Sequence, residues 1–147
     1  MAKCKAESPL LCHYMSPDPQ TSHEGRRSVD NRVALITGST SGIGLGIAEK
    51  LAAANATVVI NGFIAEDELT ELLQRLDALG SGSVDYEAAD MRDGEAARAM
   101  VDKVVQRHGQ LDILVNNAGI QHVAPLEEFP LDKWEDIFAI NLFSAFH

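Results

Sequence analysis

Four apolar residues, Val33-Ala34-Leu35-Ile36, run directly into Thr37-Gly38-Ser39-Thr40-Ser41-Gly42-Ile43-Gly44, after which apolar residues recur at four-residue steps. An apolar run that ends in a glycine-rich turn and opens a periodic segment predicts a buried strand, a tight turn and a helix. Glycines in such a turn let backbone approach a ligand that any Cβ would hold off. The helix that follows points its N-terminal amides and partial positive charge at an anion. The spacing is Gly-x-x-x-Gly-x-Gly, at 38, 42 and 44. It differs from the Gly-x-Gly-x-x-Gly of the common dinucleotide fingerprint.

The remainder repeats the same unit. Ile43, Ile47 and Leu51 predict an apolar helix face, ending near Ala54-Asn55, where Asn suits a left-handed exit. Thr57-Val58-Val59-Ile60 reads as a second buried strand with Asn61-Gly62-Phe63 at its carboxyl end. Leu69, Leu72, Leu73 and Leu76 define a second helix that closes near Gly80. Val84, Tyr86 and Ala88 alternate as a third strand leading to Ala89-Asp90-Met91. Asp93 is placed to cap a third helix with an inner face of Ala97, Met100, Val101, Val104 and His108, and Gly109 lies past its end. Leu111 to Val115 form a fourth strand that ends in Asn116-Asn117-Ala118-Gly119. Beyond a loop from Pro125 to Pro130, residues Leu131, Trp134, Ile137, Phe138, Leu142 and Ala145 predict one helix into the terminus. The alternation predicts an α/β fold, a doubly wound parallel sheet, and right-handed crossovers give it the strand order 3-2-1-4. Polar ends on apolar parallel strands are where such sheets bind ligands.

Residues 1–28 carry prolines and scattered polar groups without periodicity and read as a flexible extension; residues 29–147 form the domain. The formal charge of −10 falls after Asp30, and an acidic body disfavours nucleic acid and anionic membrane surfaces as partners. Both cysteines, Cys4 and Cys12, lie in the extension, so no disulfide framework is expected. Together with His13 and His23 they match no zinc spacing, and no metal is expected. No window has the length of a membrane span, no targeting signal is evident, and a cytoplasmic location is the default.

The turn at 37–44 and the Asn116-Asn117-Ala118-Gly119 segment together resemble the short-chain dehydrogenase/reductase family, which carries both motifs in this order. The resemblance implies a Rossmann-type domain that binds NAD(P) for hydride transfer. Carried over position by position, it implies cofactor contacts at Gly38, Thr40, Ser41, Gly42, Ile43 and Gly44 in the turn. It implies others at Phe63, at Asp90 and Met91, and at Asn117, Ala118 and Gly119. Asp90 would accept a hydrogen bond from the adenine amino group, and Asn117 would also tie neighbouring strands. Members that prefer NADP place Arg or Lys before the second glycine or after the second strand. This chain has Ser41 and Asn61-Gly62-Phe63 there, which favours NAD, although the usual acidic residue for the ribose is missing too.

Residues 30–147, above all Gly38 to Ala48 and Ile120 to Pro130, are similar to the branch of the family that acts on 3-hydroxybutyrate. That likeness gives Gln121 the substrate carboxylate, while His122 is read as a packing or solvent-facing residue. Sugar-acid oxidoreductases of the same family fit the segment as well. Asn141 matches the family's fourth catalytic residue, whose backbone carbonyl holds a water. The family's proton chemistry needs Tyr-x-x-x-Lys and an upstream serine, yet Tyr14 is followed four places on by Asp18 and Tyr86 by Asp90. The chain therefore reads as the N-terminal part of an oxidoreductase, inactive at this length. A shortened module that binds a nucleotide or a partner is the alternative. Relatives are homo-oligomers and some are mitochondrial, so the matrix stays open; an uncovered fourth strand and last helix predict self-association.

Overall fold

A computed structural model describes residues 28–147; residues 1–27 of the extension, with Cys4, Cys12, His13 and His23, lie outside the described residues. Four strands form one sheet: β1 (Val33–Ile36), β2 (Thr57–Asn61), β3 (Val84–Glu87) and β4 (Ile113–Val115). All are parallel, in the order β3-β2-β1-β4, with Ala34 opposite both Val58 and Ile113. The order is the expected one. Central β1 is buried at every residue, which is why it reads as an unbroken apolar run.

Helices cover both faces. On one, α1 (Gly42–Ala53) and α2 (Glu66–Asp77) pack Ala48, Ala52, Leu72 and Leu76 against Ala34, Ile36, Val58 and Ile60. On the other, α3 (Gly94–His108) sets Ala97, Met100 and Val104 against Val33, Leu35 and Val59. Each fully buried Leu or Ile contributes about 2 kcal/mol by leaving water. Asp93 caps α3 as expected, accepting the Glu95 and Ala96 N–H groups, and Gly109 ends it at φ 78°. Asn55 takes the left-handed exit of α1 at φ 64°.

The α1 face differs from the expected one. Gly44, Ala48 and Ala52 are the buried residues, Ile47 and Leu51 flank them, and Ile43 is 79% exposed. Small residues let the helix axis sit close to the sheet, and that rotates the larger side chains aside. β3 also departs from simple alternation: Ala88 is exposed and Glu87 is buried. Arg107 Nη2 lies 2.8 Å from Glu87 and Lys103 Nζ 3.6 Å, so a carboxylate enters the α3 interface paired. The last helix runs on to Phe146 as expected, with right-handed helical backbone at each junction: α4 (Leu131–Phe138) passes through a wide turn over Ala139–Phe143 with π-type bonding into a short α5 (Ser144–Phe146).

At the amino end of the sheet, the Asp112 carboxylate accepts the Val33 N–H at 2.9 Å and the Arg32 guanidinium at 2.7 Å. The Val33 amide first, and Arg32 after it, hold this carboxyl below its ordinary value. Its folded pKa is depressed, so its contribution is present above the unfolded value of about 3.9 and is lost as pH falls through the folded value. Asp112→Asn is expected to lower Tm at neutral pH, and the gap to the parent should close on acidification. Thermal melts from pH 7 to 2.5 check this, and a gap constant with pH counts against it.

Candidate functional site

All four strands point their carboxyl ends at one cavity of about 450 Å³. The turn after β1 supplies Gly38, Thr40, Ser41, Ile43 and Gly44; the end of β2 supplies Asn61, Gly62 and Phe63. Ala89, Asp90 and Met91 follow β3, while Asn117, Ala118, Gly119 and Ile120 follow β4, and Ile140 closes the wall from the wide turn. Of the twelve residues expected at a cofactor, eleven line this one space. The twelfth, Gly42, lies exposed in the same turn. Asn61, Gly62, Ala89, Ile120 and Ile140 are additions that the motifs did not single out. Of these, Asn61 and Gly62 follow directly from their place at a strand end.

The turn is held from beneath by two side chains. Thr37 Oγ1 accepts the N–H groups of Asn117 and Ala118, each at 3.0 Å. Asn117 Nδ2 donates to the carbonyls of Thr37 and Gly38, each at 2.9 Å, so the expected tie between strands is present. The three glycines answer to different constraints. A Cβ on Gly38 would lie 2.8 Å from Ala118 Cα, and one on Gly44 would lie 2.4 Å from Asn117 Nδ2. Gly42 has open space around it but sits at φ +59°, a conformation that L side chains rarely adopt.

Above this support the N-terminus of α1 is bare. Ser41 occupies the cap position, yet its side chain makes no capping bond, and the first turn holds no acidic residue. α3, with Asp93 and Glu95, satisfies its own first turn. The donors of α1 therefore face the cavity as an anion site without an internal competitor. Among the described residues no Lys or Arg lines the cavity. Ile43 and Phe63, 79% and 76% exposed, offer apolar surface at its mouth.

Asp90 faces the cavity with its carboxylate already engaged. The Arg92 guanidinium reaches it at 2.6 to 3.1 Å, and the Arg92 N–H donates at 2.9 Å. The Arg92 side chain holds the Asp90 carboxyl below its ordinary value. Asn141 sits within the wide turn, where its side chain pairs twice with the Ile120 backbone: Oδ1 accepts the N–H and Nδ2 donates to the carbonyl, each at 2.9 Å. That pairing and the Ser144 hydroxyl bond to the Ile140 carbonyl both fall at the wide turn of the last helix. Gln121 is exposed in the next position of the loop, outside the residues that line the cavity. His122 packs edge-on against Phe129, with centroids 5.3 Å apart. Tyr86 donates its hydroxyl to the Gly62 carbonyl at 2.7 Å and is committed to the fold. Among the described residues no group of three His, Cys, Asp or Glu side chains could hold a metal ion, and no helix is long and apolar enough to cross a membrane.

The sequence profile described as short chain dehydrogenase matches residues 32–147. D-beta-hydroxybutyrate dehydrogenase of Rhizobium meliloti (strain 1021) is 48% identical over 116 residues, which cover 79% of this chain and 45% of that protein. A short chain dehydrogenase from Burkholderia cenocepacia J2315, crystallised in complex with NADP, superposes with a TM-score of 0.76 at 33% identity, covering 82% of this chain and 49% of that one. The NADH-dependent reductase A1-R′, complexed with NAD, gives 0.74 at 29% identity over 80% and 49%. The chain thus spans just under half the length of the proteins it matches. With the glycine turn, the Asn-Asn-Ala-Gly strand end and this sheet order, the chain belongs to the short-chain dehydrogenase family.

Proposed function

We propose that these residues form the dinucleotide-binding half of an NAD-dependent oxidoreductase acting on a small hydroxy acid of the 3-hydroxybutyrate type. The observation that carries the reading is the uncapped start of α1, opening on a cavity that the carboxyl ends of the strands line. The backbone amides around Ser41 to Gly44 would hold the pyrophosphate. Phe63 and Ile43 would cover the adenosine half, Asp90 would accept from the adenine amino group, and Asn117 to Gly119 would border the second ribose. NAD is preferred over NADP in this reading because, among the described residues, no cation lines the cavity to pair with a 2′-phosphate. Bound nicotinamide would supply the hydride acceptor. Gln121 would donate its amide to the substrate carboxylate, and the Asn141 side chain would fix the loop that carries it through Ile120. The 3-hydroxybutyrate class rests on similarity to the hydroxybutyrate enzyme of Rhizobium meliloti.

Titration of the purified protein with NAD, followed by calorimetry, is expected to give one saturable site in the range of about 1 μM to 1 mM. No heat at either end of that range would reject the reading. A polypeptide of these 147 residues should bind NAD without oxidising 3-hydroxybutyrate. Neither tyrosine in it is followed four residues on by lysine, and the Tyr86 hydroxyl is held by Gly62. NADH formation followed at 340 nm checks this; steady turnover by that polypeptide would overturn it.

A further inference from the structure

Many NAD enzymes carry an acidic side chain just after the second strand, where it meets the ribose hydroxyls and repels a 2′-phosphate. Here Gly62 stands in that place, and a side chain on it would be crowded and strained. A Cβ on Gly62 would lie 2.6 Å from Thr40 Oγ1, and the residue sits at φ +154°. Thr40 is itself tied to the segment through a 3.4 Å bond to the Phe63 carbonyl.

Thr40 also lines a second cavity of about 270 Å³ beside the first. Leu45, Ile64 and Leu72 form its apolar part, and α2 contributes Glu68, Glu71 and Arg75. Arg75 lies 3.4 Å from Glu49, so its charge is already shared with a third carboxylate. The first turn of α2 consists of Glu66, Asp67 and Glu68, which offset the partial positive charge of that helix start. The second cavity, which meets the first at Thr40, is thus rimmed by two carboxylates against one arginine that also faces Glu49, so the charge on its rim is negative and comes from a helix instead of from the strand end.

Resting on the dinucleotide reading above, we propose that Glu68 and Glu71 are the residues that select NAD over NADP, by holding negative charge where a 2′-phosphate would project. Both are exposed, so their replacement leaves the packing of α2 on Leu72 and Leu76 intact. The test measures Kd for NAD and NADP at low ionic strength in the purified protein, in the Glu68→Gln/Glu71→Gln double variant, and in Glu95→Gln as an acidic control on α3. The double variant is expected to bind NADP about tenfold more tightly than the parent and NAD within about twofold, with the NADP gain shrinking as salt is raised. The control should change neither. Unchanged NADP affinity in the double variant, or a parent that binds both dinucleotides equally, overturns the selection proposal while the dinucleotide reading stands. Failure of the parent to bind either dinucleotide overturns both.

Discussion

Replacing Gly44 by valine is expected to abolish measurable dinucleotide binding, an affinity loss of about 100-fold or more, and to destabilise the fold by about 3 kcal/mol. A Cβ there would stand 2.4 Å from Asn117 Nδ2, 2.5 Å from the Gly38 carbonyl oxygen and 2.9 Å from Ser39 Cα. Two of those atoms are backbone of the turn itself. The third cannot swing away, because Asn117 Nδ2 is already held between the Thr37 and Gly38 carbonyls. The only relief is to push the turn off the start of α1, and the amides that would meet a pyrophosphate move with it. Gly46, two residues along the same helix, supplies the control: a Cβ there meets nothing within 4 Å. Gly46→Ala should keep NAD affinity and raise stability by about 0.5 to 1 kcal/mol, since alanine favours a helix interior. Calorimetric titration and thermal melts of the two variants give the comparison. If Gly44→Val bound NAD within fivefold of the parent, the anion cradle would lie elsewhere.

The glycine spacing located this turn in the sequence, but it carried no information on why each glycine is needed. Gly38 is fixed by Ala118, 80 residues on, and by its own φ of +61°; Gly44 is fixed by Asn117 and by the backbone of the turn itself, and Gly42 by its φ alone. Strand order was legible for a different reason: three apolar runs and one alternating strand, separated by helices, leave right-handed crossovers little topological choice. What stayed hidden depends on pairing between distant elements. Glu87 looked like an outward residue because alternation gives a side but no partner, and Arg107 and Lys103 reach it from α3. Ile43 looked like core because its spacing with Ile47 and Leu51 is helical. Spacing does not reveal that the alanine stripe is the face that fits against the sheet. The wide turn in the last helix was equally out of reach, since the bonds made there join Asn141 to the Ile120 backbone across a loop.

Asn61 shows the same limit most sharply, and it supports the second large effect. Read along the chain it is the last residue of a strand, beside a ribose; in the fold it is 1% exposed and joins three segments. Its Oδ1 accepts the Gly38 N–H at 3.3 Å, while Nδ2 donates to the carbonyls of Glu87 at 3.0 Å and Ala89 at 3.1 Å. One amide thereby sets the phosphate turn at a fixed distance from the wall that carries Asp90. Asn61→Leu fills the volume but strands two buried acceptors and a part-buried donor, so a stability loss of about 3 kcal/mol is expected. Asn61→Asp is the more telling change, because it keeps the shape and turns the double donor toward two carbonyls into an oxygen. A buried carboxyl in that position has its pKa raised, so the variant should be least impaired below the unfolded value of about 3.9 and lose stability as pH rises through the folded one. The leucine variant has no such group and its deficit should be flat with pH over the same range. Chemical denaturation of both variants between pH 4 and 8 separates the two behaviours. A parallel pH response in the two would mean that Nδ2 does not hold the Glu87 and Ala89 carbonyls, and that the adenine wall is positioned without it.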